Sequence, residues 1–110
     1  MGMNLAKQTS SMEPDYLIAG ANVAIETIAK TAAGAISKGA PVKLDSNGKA
    51  AAVSATTDTL YGIATEDAAA DDLIVVYLSG EFFADKLELP NGVTAADLEV
   101  GFRNIGIFLK

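Results

Sequence analysis

The chain has 110 residues, a net charge of −6 at pH 7, and neither cysteine nor histidine. This length suits a single domain, and the absent residue types exclude disulfides, thiolate nucleophiles, Cys/His zinc sites and histidine-based triads. The acidic balance argues against nucleic acid or an anionic membrane as a partner. No apolar run reaches the ~20 residues that a membrane-spanning helix needs, so we expect a soluble, intracellular protein.

The N-terminal residues differ in composition from the rest of the chain. Residues 1–14 are polar and show no hydrophobic periodicity, which predicts a flexible N-terminal arm ahead of a single domain at 15–110. An inert tail is the alternative interpretation of the same composition. All of the excess negative charge lies in residues 41–110, so a neutral N-terminal part precedes an acidic body.

Two short apolar stretches open the predicted domain. Residues 16–19 form an apolar cluster that Gly20 closes, and residues 22–29 alternate loosely as in a strand, although their alanines leave a helix open. Gly34 and Gly39 have the spacing of a phosphate-binding loop. However, Ala40-Pro41 stands where that loop needs Lys and Ser/Thr, so we predict a turn leading into a strand at 42–44.

A β-hairpin is predicted around Asn47-Gly48, because this dipeptide supplies the positive φ of a tight turn between residues 42–44 and 49–53. Asp45 and Asn47 also resemble the start of a calcium-binding loop. Thr56 occupies the position that needs a bidentate Glu, so we predict no metal there.

The stretch 73–83 is predicted to be the central strand of the fold. It is rich in strand-forming residues and apolar on both faces through its first half, which indicates a strand covered on both sides. Gly80 within it predicts a bulge or a close backbone approach, and Glu81 is expected to be a paired or subunit-interface carboxylate. A shorter strand, 60–64, comes before it, and the acidic residues between the two strands predict a solvated loop.

The C-terminal part is predicted to hold one helix and one strand. Thr94 followed by Asp97 is a variant of the capping box and predicts a helix over 94–103, with Leu98 and Phe102 on one face. The apolar run 105–109 predicts a last strand that pairs inside the sheet.

Several short pieces, taken in this order and at this spacing, resemble the head decoration (capsid cement) proteins of tailed bacteriophages, the family of the phage lambda decoration protein. No single piece is specific, and together they span residues 14–110. The pieces are Pro14–Gly20, Ala33–Leu44, Tyr61–Ala64, Val76–Phe82 and Arg103–Lys110.

The resemblance implies a mainly β, β-clip-like fold with one short helix near the C-terminus, in a small α+β domain that forms trimers. It also implies a structural role on the outer surface of the phage head after synthesis in the host cytoplasm. There the homotrimer would bind the major capsid protein at local three-fold sites of the expanded shell and stabilise it against DNA pressure. No catalytic residue, metal ligand or cofactor is expected, and no nucleic acid, membrane or small-molecule substrate.

In this family the N-terminal segment faces the capsid. The present chain departs from the phage lambda protein throughout its first forty residues, so the resemblance carries over a region rather than individual contacts. Within that region Tyr16, Leu17 and Ile18 are our predicted capsid-binding residues.

Two other classes of function are weighed against this one. A small β-module that binds a carbohydrate or another ligand is the main alternative, but aromatics are only 6% of the chain and Trp is absent, whereas ligand pockets are usually rich in them. An enzyme that uses only carboxylates, such as Asp71 and Asp72, is the third.

Overall fold

The computed structural model describes residues 17–20 and 24–110, and within them seven strands join in one sheet. A 3-10 helix, Ala84–Lys86, and one α-helix, α1 (Ala95–Asn104), follow the sixth strand. In chain order the strands are β1 (Ile18–Gly20), β2 (Glu26–Thr31), β3 (Pro41–Leu44), β4 (Ala50–Ala52), β5 (Gly62–Ala64), β6 (Leu73–Phe82) and β7 (Ile107–Leu109).

Strand β6 is the centre of the sheet, as predicted, because four other strands pair with it. Its N-terminal half lies between β2 and β5, and its C-terminal end lies between β1 and β7. The pairing of β6 with β7 is parallel, and every other strand pair is antiparallel. The expectation of a mainly β domain with a helix near the C-terminus is therefore confirmed.

The predicted irregularity at Gly80 is also present. Glu26 lies opposite Ser79 and Thr27 opposite Tyr77, so Leu78 is an extra residue that bulges from β6. Gly80 itself has a φ of +140°, and a Cβ there would lie 3.0 Å from the Phe82 ring. Glycine is the residue that tolerates both the positive φ and the nearby ring.

The predicted hairpin joins β3 to β4, with Val42 opposite Ala52. The Asp45 carboxylate accepts hydrogen bonds of 2.9 Å from the backbone N–H groups of Asn47 and Lys49, and Gly48 takes a φ of +79°. The turn therefore satisfies its own backbone donors, as expected of an Asx-type reversal. Strand β3 also pairs with β5, which connects the hairpin to β6.

The buried side chains form two clusters along β6. The large-residue cluster, at the C-terminal half, contains Leu17, Ile63, Tyr77, Phe82, Val93, Leu98, Phe102 and Ile107. The small-residue cluster, at the N-terminal half, contains Ala32, Ile36, Ala40, Val42, Ala50, Ala64, Ile74 and Val76.

Helix α1 covers the large-residue cluster. The Thr94 hydroxyl accepts a hydrogen bond from the Asp97 N–H, and the Asp97 carboxylate accepts one from the Thr94 N–H, which confirms the predicted capping box. The predicted last strand begins at Ile107 rather than Ile105. Ile105 caps the helix and Gly106 turns the chain with a φ of +91°, so neither residue is free to extend the strand.

One part of the prediction for β6 is wrong. Leu73 is 72% exposed, so the first half of the strand is not covered on both faces at its beginning. Leu73 pairs only with Thr31, at the last register position that β2 and β6 share, and the hydrophobic cover begins with the buried Ile74.

Candidate functional site

The three predicted binding residues do not share one environment. Tyr16 and the predicted arm, 1–14, lie outside the described residues. Leu17 is fully buried in the large-residue cluster, and Ile18 is half-buried and packs against the same cluster. The structure thus separates an anchoring side chain from a neighbour that keeps part of its surface exposed.

Strand β1 is held to the end of β6 by backbone and side-chain contacts together. Ile18 lies opposite Phe82, and the Phe83 N–H donates a 2.9 Å hydrogen bond to the Leu17 carbonyl. Burying the Leu17 side chain contributes about 1.5–3 kcal/mol by removal of apolar surface from water. The first described residues of the chain are therefore fixed to the domain at this point.

A buried carboxylate lies beneath β1. Glu81 is 6% exposed, and the Nζ of Lys110 lies 4.0 Å from its Oε1. A Cβ on Gly20 would overlap with the same oxygen, so glycine leaves the room that the carboxylate occupies. The expectation of a paired Glu81 is confirmed. Its partner and the role of Gly20 were missed, because 29 and 61 residues of sequence separate them from Glu81.

The outer edges of β1 and β2 have no strand beside them in the part of the chain that the structure describes. Both strands pair with β6 alone, and residues 24–29 are exposed throughout. An unpaired edge presents a row of backbone N–H and C=O groups that can add a strand from another chain. These two edges are the strongest candidate interaction surface of the domain.

The acidic loop between β5 and β6 is held by a hydrogen bond from a backbone N–H group, and its carboxylates are exposed to solvent. Asp67 accepts a 2.7 Å hydrogen bond from the Lys38 N–H, and Asp71, 82% exposed, lies 3.5 Å from the Lys49 ammonium. Among the described residues, no three acidic side chains group closely enough to hold a metal ion. Asp71 and Asp72 are both exposed, so this loop offers no desolvated carboxylate pair for acid–base catalysis.

Asp58 organises the loop between β4 and β5. Its carboxylate accepts hydrogen bonds from the backbone N–H groups of Ser54 and Ala55, at 2.9 and 3.1 Å, and from the Lys43 ammonium at 3.1 Å. The bond from Ser54 and then the Lys43 contact lower the pKa of Asp58 from 3.8 to about 2. The Ser-x-x-x-Asp spacing was the available signal for this turn.

An open groove of about 340 Å³ lies between this loop and α1. Its apolar wall is formed by Leu60, Leu98 and Ile105, and no aromatic residue lines it. The two carboxylates in it, Asp58 and Asp97, already accept hydrogen bonds within the loop and the helix cap. Thr56, Thr59 and Asn104 also line the groove, so what it lacks of a usual carbohydrate site is the aromatic faces.

Comparisons with known proteins agree with the resemblance noted from the sequence. A family model described as phage cement protein matches residues 17–79, over half of the chain, from Leu17 through most of β6. No curated protein matches the chain. Among the described residues, no helix is long and apolar enough to cross a membrane.

Proposed function

The chain belongs to the phage cement protein family, and from this premise we propose that it forms a homotrimer on the outer surface of an expanded phage head. Membership of the family supplies the coarser part, a structural role in association with a phage capsid. The finer part of the proposal is that each trimer binds the major capsid protein at a local three-fold position and stabilises the shell against DNA pressure. No catalysis is part of this role.

The observation that carries the proposal is the outer edge of β1, with which no strand of the described part of the chain pairs. Leu17 anchors β1 in the core, while β1 pairs on one side only among the described residues. A strand from the shell can then hydrogen-bond to the exposed backbone groups and extend the sheet. This kind of contact takes its affinity from the main chain and makes few demands on side chains, in keeping with the polar, neutral N-terminal residues.

We assign different roles in capsid binding to the three predicted binding residues. Leu17 positions the segment from within the core, and Ile18 and Tyr16 supply its contacts with the shell. Residues 1–14 form the flexible arm of the proposal and residues 15–110 the domain that carries it. Three such segments on one trimer make each further contact intramolecular, which can strengthen binding ~10²–10⁴-fold over that of a single segment.

The first experiment measures the mass in solution and the binding to expanded capsids of the full chain and of a version that starts at Asp15. We expect both to be trimers by light scattering, and the full chain to co-sediment with capsids much more strongly than the shorter version, which keeps Tyr16, Ile18 and β1 but lacks the arm. Monomers at micromolar concentration would contradict the trimer, and equal binding by both versions would contradict the role of the arm.

A second experiment tests the described part of the segment. Ile18→Ser removes the half-buried apolar side chain of β1, and Val100→Ser removes one that is 54% exposed on α1 and serves as the matched control. We expect the Ile18 variant to lose most of its capsid binding at unchanged mass and the control to bind normally. Normal binding by a folded Ile18→Ser protein would remove Ile18 from the site.

A further inference from the structure

The outer edge of β2 carries charges that complement themselves in the antiparallel direction. Glu26 and Lys30 lie two residues to either side of Ile28 and, by the alternation of a strand, on the same face. We propose that β2 of one copy pairs antiparallel with β2 of a second copy, about a two-fold axis at Ile28. The contact would extend the sheet from one molecule into the next.

The exposure of β2 is unusual for a strand that pairs with the centre of a sheet. Residues 24–29 are all exposed, and Ile25 and Ile28 keep 40% and 36% of their surface accessible. No described strand covers the outer side. An uncovered edge that carries apolar side chains is a template for association, and proteins ordinarily pair or protect such edges.

The hydrogen bonds of β2 show which backbone groups remain for a partner. The Glu26 N–H donates to the Ser79 hydroxyl at 3.1 Å, and the Ala32 N–H donates to the Asp72 carbonyl at 2.8 Å, so both point toward β6 or its immediate extension. Backbone groups alternate in direction along a strand. The even-numbered residues therefore turn inward, and Thr27, Ala29 and Thr31 present their N–H and C=O groups outward.

This alternation and the charges select one register. With the axis at Ile28, Thr27 of one copy lies opposite Ala29 of the other, and these two outward-facing residues exchange hydrogen bonds. Glu26 then lies opposite Lys30, twice by symmetry, and the two Ile28 side chains meet between these ion pairs. Shifting the pairing by two residues in either direction also keeps the odd-numbered residues hydrogen-bonded. Each of these shifts places Glu26 or Lys30 opposite Ile28 and removes both ion pairs.

The two charged side chains can reach this arrangement. Glu26 makes no ion pair within residues 17–20 and 24–110. The Lys30 ammonium lies 5.6 Å from the centroid of the Tyr61 ring and has to turn from that ring toward the second copy. An exposed contact of this kind is weak, and the four-carbon stem of lysine allows the rotation.

The contact does not depend on the proposed trimer, and the segment proposed to bind the capsid is β1 rather than β2. If the chain is a trimer placed at three-fold positions, a two-fold contact would connect neighbouring trimers on the shell. This last consequence rests on the proposed function, whereas the pairing of β2 edges can be tested in its absence.

A cross-linking experiment tests the register directly. Because the chain has no cysteine, Ile28→Cys places one thiol on the proposed axis. The Cα atoms of a pair that is not hydrogen-bonded lie about 4.5 Å apart, within the range of roughly 4.4–6.8 Å that a disulfide spans. We expect rapid oxidation to a covalent dimer, and much slower oxidation of the control Val100→Cys, whose side chain is more exposed.

A charge-exchange series tests the ion pairs by sedimentation at 0.15 M salt, where long-range repulsion between the acidic bodies is screened. Glu26→Lys alone and Lys30→Glu alone each turn two attractive pairs into two repulsive ones, so each should self-associate roughly tenfold more weakly. The double exchange, and an equimolar mixture of the two single variants, should restore association. Glu88→Lys and Lys86→Glu, at exposed positions, are the controls for net charge.

The outcomes separate this inference from the proposed function. Cross-linking of Ile28→Cys no faster than that of Val100→Cys would overturn the pairing, and so would a charge series without restoration in the mixture. Dimers without trimers would support the β2 contact and contradict the proposed trimer. If the same variants change capsid binding while self-association is unaffected, β2 receives a capsid strand and the inference is wrong.

Discussion

The two halves of β6 are buried by different means. At the C-terminal half, large side chains such as Phe82 and Phe102 fill the space beneath α1 and β7. At the N-terminal half, alanines such as Ala32 and Ala64 let neighbouring segments approach closely. One strand therefore belongs to two differently packed regions, with Ile74 and Val76 in the small-residue cluster and Tyr77 and Phe82 in the large-residue cluster.

The difference determines which substitutions each half tolerates. The large-residue cluster is stabilised by apolar area, at about 25 cal/mol per Å² removed from water, and by an aromatic contact of Tyr77 with Phe82 at a centroid distance of 5.0 Å. Beside the small-residue cluster, Gly62 leaves no room for a side chain, because a Cβ there would collide with the side chain of the cluster member Val76 and with the Tyr77 carbonyl. We therefore expect truncation to damage the first cluster and enlargement to damage the second.

The largest effect is expected from truncating the large-residue cluster. Phe82→Ala should lower the free energy of unfolding by about 3–5 kcal/mol, because it removes apolar area and leaves a cavity. Phe83 is the matched control, since it is the next residue and is 40% exposed. Phe83→Ala should cost about 1 kcal/mol or less in the same urea titration. Similar losses for the two variants would contradict the assignment of Phe82 to the core.

The effect of a larger side chain beside the small-residue cluster is tested at Gly62. Gly62→Ala should cost about 1–3 kcal/mol, because the added methyl group meets a backbone carbonyl that cannot rotate away. In the control, Gly34→Ala, the added methyl group meets no atom within 4 Å, so stability should change little. Thermal unfolding of both variants checks the contrast, and equal melting temperatures would show that the sheet relaxes at Gly62.

A smaller effect is expected where the obstacle is a flexible side chain. Gly20→Ala places its methyl group against the Glu81 carboxylate, which can move, so we expect a loss of about 1 kcal/mol or less. Hydrogen exchange should nevertheless speed up at the amides that join β1 to β6, including that of Phe83. Unchanged exchange at these amides would indicate that the carboxylate does not hold β1 in place.

The smallest effect is a pH dependence confined to the loop beside α1. The pKa of Asp58 is lowered from 3.8 to about 2, so its bonds stabilise the folded chain above pH 4 and are lost as the pH falls toward 2. An NMR titration should show the amides of Ser54 and Ala55 changing over this range. Asp58→Asn should remove that step, and a step that persists in the variant would assign it to another carboxylate.

Local chemistry determined much of this fold. The capping box at Thr94 and Asp97 is complete within four residues, and the hairpin turn is formed by Asp45, Asn47 and Gly48, which are close in the chain. The apolar run of β6 likewise identified the central strand. Each of these patterns lies in a short stretch of chain, so it can be recognised from the sequence alone.

The candidate site could be predicted less well from the sequence, because the residues that form it are distant in the chain. The sequence and its family resemblance indicated the region of Leu17 and Ile18 but not that one side chain is buried and the other half-exposed. Nor did it show that Glu81 lies between Gly20 and Lys110. Partners that come together only on folding leave no spacing for a sequence pattern to detect.

The sequence by itself thus determined the mainly β class, the central strand, the close approach at Gly80, the hairpin and the capped helix, together with the family. Only the tertiary structure decided which strands flank each half of β6, that Leu73 is exposed, and that no described strand pairs with the outer edges of β1 and β2. The physical reason is that propensity and turn chemistry act between neighbours in the chain. Burial and edge pairing depend instead on which distant segments come to lie side by side.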